Sequence, residues 1–278
     1  FFDNLSLTFS VILILATLLV VLISMKYISL QDTNHGEYYS LLLLALSGTI
    51  IMISSTDFLI IFLGLEILSI SSYALTALKR NDEKSSEAAV KYFLMGSFAS
   101  AFLVYGIALL YGASHSTEII SIINHFQTET NLSLMALVGL GLVIIGFGFK
   151  IAVVPFHMWT PDVYQGAPTP ITAFFSVAPK TVGFAVLLRI FYPYWKVTFD
   201  SQVILSILWI ISMLTMVVGN LIALRQTNVK RILAYSSIAH AGYLLVALIS
   251  QDNSSLVFYL TVCLFMNIGA FAAIIALG

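Results

Sequence analysis

Five ionisable residues lie inside runs of apolar sequence, where bulk water cannot solvate them. Glu66 sits in "FLIIFLGLEILSISSYAL", Lys180 in "AFFSVAPKTVGFAVLL" and His240 in "LAYSSIAHAGYLLVAL"; Lys150 closes "LVIIGFGFK", and Lys91 lies about one turn into "AAVKYFLMGSFASAF". A carboxylate, amines and an imidazole are the groups that pass protons. At a bilayer centre each costs about 2.5–3.5 kcal/mol on the insertion scale, so a set of them is expected to face one another or a wet cavity. Plainer roles also exist for each. Lys91 could snorkel to the surface, His240 could be a neutral packing residue, and Glu66 with Lys180 could form a structural buried pair.

Two of the lysines have prolines close by in sequence. Pro155 follows Lys150, lacks an N–H and clashes with the carbonyl of Ile151, so the helix is expected to break there. Pro161, Gly166, Pro168 and Pro170 extend the break, and His157 lies just past it. Pro179 immediately precedes Lys180 and is expected to interrupt its own span. Broken helices at membrane depth are tolerated where they line a cavity, and they mark ion sites in transporters. The glycines before the break do not spell a nucleotide fingerprint, because position 151 is Ile where Gly is required. "HMW" and "AHAG" lack a second nearby ligand for zinc, and no two histidines are spaced for haem held between helices. The lone Cys263 excludes a disulfide framework and a cysteine-held iron–sulfur cluster.

The elements that must hold these groups are membrane spans. Of 278 residues, 60% are hydrophobic and only 9% charged, against about 25% charged in soluble domains, and the mean hydropathy is +1.01. Nine apolar segments, each near the roughly 20 residues that span a bilayer, run over 5–25, 39–56, 58–78, 88–112, 133–153 (continuing to about 166), 170–190, 203–223, 230–250 and 255–278. They lack the alternation of barrel strands. The fold class is therefore an all-α polytopic membrane protein, one membrane domain over 1–278. "SSE" at 85–87 and "STE" at 116–118 read as helix starts, and "IISIINHF" reads as a short helix along the interface. The net charge of −1 argues against nucleic acid. The sequence has no initial Met and stops inside an apolar run, as an internal piece of a longer chain would.

Lys/Arg asymmetry sets an orientation. Lys26, Lys79, Arg80, Lys84, Arg225, Lys230 and Arg231 fall on one side, and Arg189 and Lys196 on the other. The richer side is expected to be cytoplasmic, which puts loops 79–87 and 224–231 inside and Phe1 outside, provided that 133–166 crosses once despite its break.

"FLGLEILSISSYAL", "AAVKYFLMGSFASAFLVYGIALLYG", "GFGFKIAVVPFHMWTPDVYQGAPTPITAFFSVAPK" and "ALRQTNVKRILAYSSIAHAGYLLVAL" closely resemble the subunit N family of proton-pumping NADH-quinone oxidoreductase (respiratory complex I), one of its antiporter-like subunits. The resemblance covers the whole chain. It implies a fourteen-helix fold with two inverted five-helix repeats, of which 39–190 would be the first and 203–278 the start of the second. Residue by residue it implies a relay: Glu66 as the tuning carboxylate, Lys150 as the central lysine of a broken helix, Lys180 as a connecting lysine, and Lys91, His157 and His240 as further polar-axis positions. The distal lysine of the second half would lie past Gly278. It also implies no cofactor in this chain, with FMN, iron–sulfur clusters and quinone held by other subunits, partners among the membrane-arm subunits and lipid, and a bacterial inner membrane location. Multisubunit cation/proton antiporters and membrane-bound hydrogenases share the fold and remain alternatives, as does an independent small-anion transporter with Lys150 as a fixed binding charge.

Overall fold

The computed structural model describes residues 3–29, 35–128, 133–195 and 201–277; Phe1, Lys196 and Gly278 lie outside the described residues. Eleven helices follow in order: α1 (Asn4–Ser29), α2 (His35–Ser54), α3 (Phe58–Thr76), α4 (Glu83–Ser114), α5 (Ile119–Thr128), α6 (Leu134–Ile151), α7 (Thr160–Gly166), α8 (Thr169–Trp195), α9 (Ser201–Ala223), α10 (Val229–Ile249) and α11 (Asn253–Leu277). Nine of the described helices are long and apolar enough to cross a membrane, all but α5 and α7, in register with the nine apolar segments.

Helix α8 is the axis of the bundle. Its apolar window is buried along its whole length, and α1, α2, α3, α5, α6, α7, α10 and α11 all pack on it. A helix that is apolar all round has no face for solvent and belongs in a core. The other spans keep one face outward, where Leu63, Phe98, Trp209 and Phe265 are exposed among many large apolar side chains. Lipid suits such faces; water does not. Between spans, small residues replace the hydrophobic driving force that lipid removes. At Gly106 of α4 and Gly139 of α6, an added Cβ would come within 2.9 and 3.1 Å of the other glycine's carbonyl oxygen, so the two backbones touch there.

Helix starts follow local chemistry more closely than the "SSE" reading allowed. Asp82, not Ser85, caps α4 by accepting the Lys84 N–H at 3.0 Å, because a cap must precede the first helical N–H groups. Ser85 lies inside the helix and donates to the Thr76 carbonyl at 2.6 Å. Ser116 accepts from the Glu118 N–H at the start of α5. Helix α5 packs Ile119, Ile122, Ile123 and Phe126 inward, tied to the α3 start where Thr117 donates to Asp57 at 2.5 Å. Before α11, the exposed Asp252 accepts from the Ser255 and Ser254 hydroxyls and the Ser255 N–H, which pull its carboxyl down to about 2.

Contacts sort the loops into two ends. At one end Lys79 meets Tyr27, Arg80 pairs with Glu37, Lys230 donates to the Ala167 carbonyl and Arg231 pairs with Asp162. At the other, Arg189 joins Asp3 and the Ile53 carbonyl. The broken segment α6–α7 therefore crosses once. Arg189 itself is no loop charge: it is in the last turns of α8 with only 8% of its side chain exposed, drawn in because Asp3 neutralises it.

Candidate functional site

Helix α6 stops at Ile151, one residue after Lys150. Ala152 takes a left-handed conformation (φ 59°), its N–H bonds the Phe149 carbonyl at 3.1 Å, and the Val153 N–H bonds the Gly148 carbonyl at 3.0 Å. This is the paired C-terminal closure usually built on glycine. The chain then turns through the cis Val154–Pro155 bond and residues 156–159 into α7. Backbone groups freed by the break are met by protein. The Val154 N–H donates to Thr215 Oγ1 of α9 at 3.0 Å, and Trp159 Nε1 donates to the Phe149 carbonyl at 3.0 Å. Trp159 also stacks on Tyr92, with ring centroids 4.5 Å apart. The break thus fixes Lys150 on a rigid, aromatic-walled end.

Lys150 is 3% exposed. Its Nζ donates to Ser69 Oγ of α3 at 2.6 Å, and the Ser69 hydroxyl donates a hydrogen bond to the Leu65 carbonyl. Three rings surround the amine, Tyr73 at 5.8 Å, Tyr92 at 5.9 Å and Phe149 at 5.9 Å, within the range where ring faces attract a cation. Glu66 lies one turn before Ser69 on α3, within electrostatic reach of Lys150. It makes no ion pair with it; its Oε1 accepts from Ser100 of α4 at 2.5 Å.

Lys180 forms a second centre. Helix α8 runs on through Pro179, against the expectation of a break. The proline costs one backbone bond, but the helix is walled in on all sides, and neighbours can satisfy freed groups at membrane depth. Close by, Asn267 of α11 donates to the Ser176 carbonyl at 3.4 Å. The Lys180 amine, 5% exposed as a residue, donates to the Ser237 carbonyl and to Ser237 Oγ, the latter at 2.5 Å. Ser237 Oγ is 3.4 Å from the Tyr164 hydroxyl of α7. A cavity of about 10 Å³ lies against Lys180, Ser237, His240, Cys263 and Asn267, near the lower limit for one water. His240 Nδ1 lies 2.6 Å from the Tyr259 hydroxyl of α11.

Lys91 belongs to neither centre. It pairs with Glu87 at 2.7 Å and Asp162 at 2.9 Å, half-exposed, at the α7 end of the bundle. Asp162 also takes Arg231 at 2.7 Å, so one carboxylate of α7 joins α4 to α10. His157 lies on the turn past the break with a buried Nδ1 that makes no hydrogen bond of good geometry among the described residues. The hydroxyls that line these groups are not marked by the sequence: Ser69 and Ser237 hold the two amines, Ser100 bonds Glu66, Tyr164 meets Ser237 and Tyr259 meets His240. Hydroxyl residues in apolar spans carry little signal alone; their spacing from the charges, Ser69 at i+3 from Glu66 and Ser237 at i−3 from His240, was the available clue. Among the described residues no group of three His, Cys, Asp or Glu side chains is placed to hold a metal.

Fold and site together define a polytopic helical membrane bundle of the antiporter-like type, with buried amines set on hydroxyls around one broken helix. Residues 55–278 match the profile of the NADH:quinone oxidoreductase/Mrp antiporter transmembrane family, and the chain belongs to that family. NADH-quinone oxidoreductase subunit N of Trichlorobacter lovleyi is 49% identical over 284 aligned residues, 99% of this chain and 57% of that protein. A chain of respiratory complex I from Thermus thermophilus superposes with a TM-score of 0.82 at 38% identity, covering 98% of this chain and 57% of that one. A chain of a membrane-bound sulfane sulfur reductase, an archaeal respiratory membrane complex, superposes with a TM-score of 0.86 at 32% identity, covering 98% and 56%. The chain spans a little over half the length of these relatives.

Proposed function

We propose that this chain is part of the proton-translocating membrane subunit of an NADH-quinone oxidoreductase. The observation that carries the reading is the Lys150 centre: a buried amine on a broken helix, held by a hydroxyl, with a carboxylate nearby but not paired to it. Lys150 exchanges a proton and Glu66 tunes that exchange across the gap. At about 10 Å and an effective dielectric of about 20, one charge is worth roughly 1.7 kcal/mol. Moving or neutralising Glu66 therefore eases proton release from Lys150. Lys180, and beyond it His240, take the proton or its electrostatic signal onward, and Lys91 and His157 serve the α7 side. Each charge moved works against about 2.3 kcal/mol per 100 mV of membrane potential.

In this reading residues 39–190 form the first inverted repeat and 203–278 open the second. Loops 79–87 and 224–231 face the cytoplasm of a bacterial cell, in its inner membrane. FMN, iron–sulfur clusters and quinone belong to other subunits of the complex, and the membrane-arm subunits are the partners. The similarity to the sulfane sulfur reductase chain favours a second reading, a subunit of another respiratory or antiporter complex with the same fold; co-purifying subunits separate the two.

The test is proton pumping by the assembled enzyme carrying Lys150→Ala or Glu66→Ala. Both are expected to lose pumping, and Lys150→Arg as well, since a guanidinium does not deprotonate at physiological pH. Full assembly with normal proton-to-electron stoichiometry in both alanine variants would refute the assignment.

A further inference from the structure

Lys180 is held differently from Lys150, and the difference concerns what happens when a buried amine changes charge. An ammonium offers only donors and needs acceptors. A neutral amine gains a lone pair that needs a donor. A partner that serves both states must be able to reverse its hydrogen bond, which a carbonyl cannot do.

Ser69, under Lys150, is committed. Its hydroxyl proton goes to the Leu65 carbonyl at 2.5 Å, leaving only lone pairs for the amine. Ser237, under Lys180, is not committed to a backbone carbonyl. Apart from Lys180, its hydroxyl contact among the described residues is the Tyr164 hydroxyl at 3.4 Å, where either oxygen can donate. No carboxylate lies within ion-pairing distance of Lys180 among the described residues, so nothing pins it in the charged form.

We infer that Ser237 and Tyr164 form a reversible hydroxyl pair that serves Lys180 in both protonation states, which makes Tyr164 of the short helix α7 a positioning residue for the relay. With Lys180 protonated, Ser237 Oγ accepts a hydrogen bond from the amine and donates one to Tyr164 Oη. With Lys180 neutral, Tyr164 donates to Ser237 and Ser237 donates to the amine. No proton is lost from the pair in either state; only the direction of two hydrogen bonds changes. The Tyr164 side chain is fully buried against Phe271. Its helix is clamped by Asp162 to Lys91 and Arg231 and by Lys230 to the Ala167 carbonyl. The broken segment therefore sets the spacing of the pair, and through it the lysine on α8. The other titratable groups that face Lys180 among the described residues are His240 of α10 and Cys263 of α11.

This inference rests on the proposed translocating role. Its test uses the assembled enzyme in proteoliposomes, with Tyr164→Phe, Ser237→Ala, Ser237→Thr and Lys180→Ala. Tyr164→Phe and Ser237→Ala are each expected to slow pumping by about 3–10-fold, the effect of one hydrogen bond. In Ser237→Ala the alkaline fall-off of pumping moves to lower pH, because the ammonium loses one of its two acceptors and keeps only the backbone carbonyl of position 237; in Tyr164→Phe the shift has the same sign and is smaller, because Ser237 still accepts from the amine but has lost the oxygen to which it donates. Ser237→Thr keeps the hydroxyl and restores the wild-type profile, and the Tyr164→Phe/Ser237→Ala double variant is no slower than Ser237→Ala. Wild-type rate and pH profile in Tyr164→Phe and Ser237→Ala, with Lys180→Ala inactive, would overturn the pair alone. A silent Lys180→Ala would overturn the translocation reading and the pair with it. Should Ser237→Ala fail to assemble, Tyr164→Phe against Ser237→Thr decides.

Discussion

Lys150 Nζ rests on Ser69 Oγ at 2.6 Å while Glu66, one turn earlier on the same helix, turns away to Ser100. The amine is thus held by a neutral group and influenced by a charged one. In the proposed relay, that separation would let Glu66 change the charge balance at Lys150 without first breaking a buried ion pair, a break that would cost several kcal/mol.

Ser69→Ala removes the direct hydrogen-bond partner and leaves the amine facing rings alone. A hydrogen bond to a charged group contributes about 1.5–3 kcal/mol. Reduced pumping with normal assembly is expected, while Ser97→Ala, whose hydroxyl returns to its own helix at the Phe93 carbonyl, leaves pumping unchanged. Pumping per NADH oxidised in reconstituted enzyme checks both.

Gly96→Ala is expected to damage the site from outside it. A Cβ there would lie 2.0 Å from the Tyr73 hydroxyl oxygen, and Tyr73 is one of the rings over Lys150. Forcing the ring aside costs about 1–3 kcal/mol, as overpacking does. Gly141→Ala is the control, since nothing lies within 4 Å of its added Cβ. Thermal unfolding in detergent should separate the two, with only Gly96→Ala lowering the midpoint.

Trp159→Phe should keep the stack on Tyr92 and lose the bond to the Phe149 carbonyl. One hydrogen bond is worth about 0.5–1.5 kcal/mol, and the Phe149 carbonyl keeps the Ala152 N–H as a partner. A modest fall in unfolding midpoint is expected, and a Trp159→Ala variant that also loses the ring should fall further.

The spans were legible because lipid imposes one strong rule, about 20 apolar residues per crossing, and all nine appear where the runs lie. The break after Lys150 was legible for a similar reason, since Pro155 forbids a helical bond whatever surrounds it. Pro179 has the same chemistry, yet α8 continues. The outcome there depends on packing from every side, which one sequence segment does not encode. Arg189 shows the same limit. Charge counting sees a loop cation, and only the fold brings Asp3 from 186 positions away to meet it. The hydroxyl partners of the two amines were hidden because serine in an apolar span usually bonds its own helix, as Ser71 and Ser72 do.

The Asp3–Arg189 clasp supplies a pH prediction. Arg189 reaches Asp3 through two nitrogens, at 2.9 and 3.1 Å, and the Ile53 carbonyl at 2.8 Å, tying the start of α1 to α8 and the end of α2. Burial opposes the Asp3 charge, but the hydrogen bonds from Arg189 and Ser6 and the Arg189 charge outweigh it and hold the carboxyl below its ordinary range. An unfolded Asp titrates near 3.9. Because the folded value is lower, the clasp contributes fully above about pH 4, and its contribution is lost as pH falls through the folded value. Asp3→Asn should abolish this acid-sensitive component and lower stability at neutral pH by about 3 kcal/mol, near the low end for stranding a buried charge because Asp3 is partly exposed. Arg189→Met, which leaves only the more exposed Asp3 unpaired, should cost less. Unfolding midpoints of the three proteins between about pH 3 and pH 7 check the sign: the gap between wild type and Asp3→Asn must narrow as pH falls, and a gap that widened would reverse the assignment.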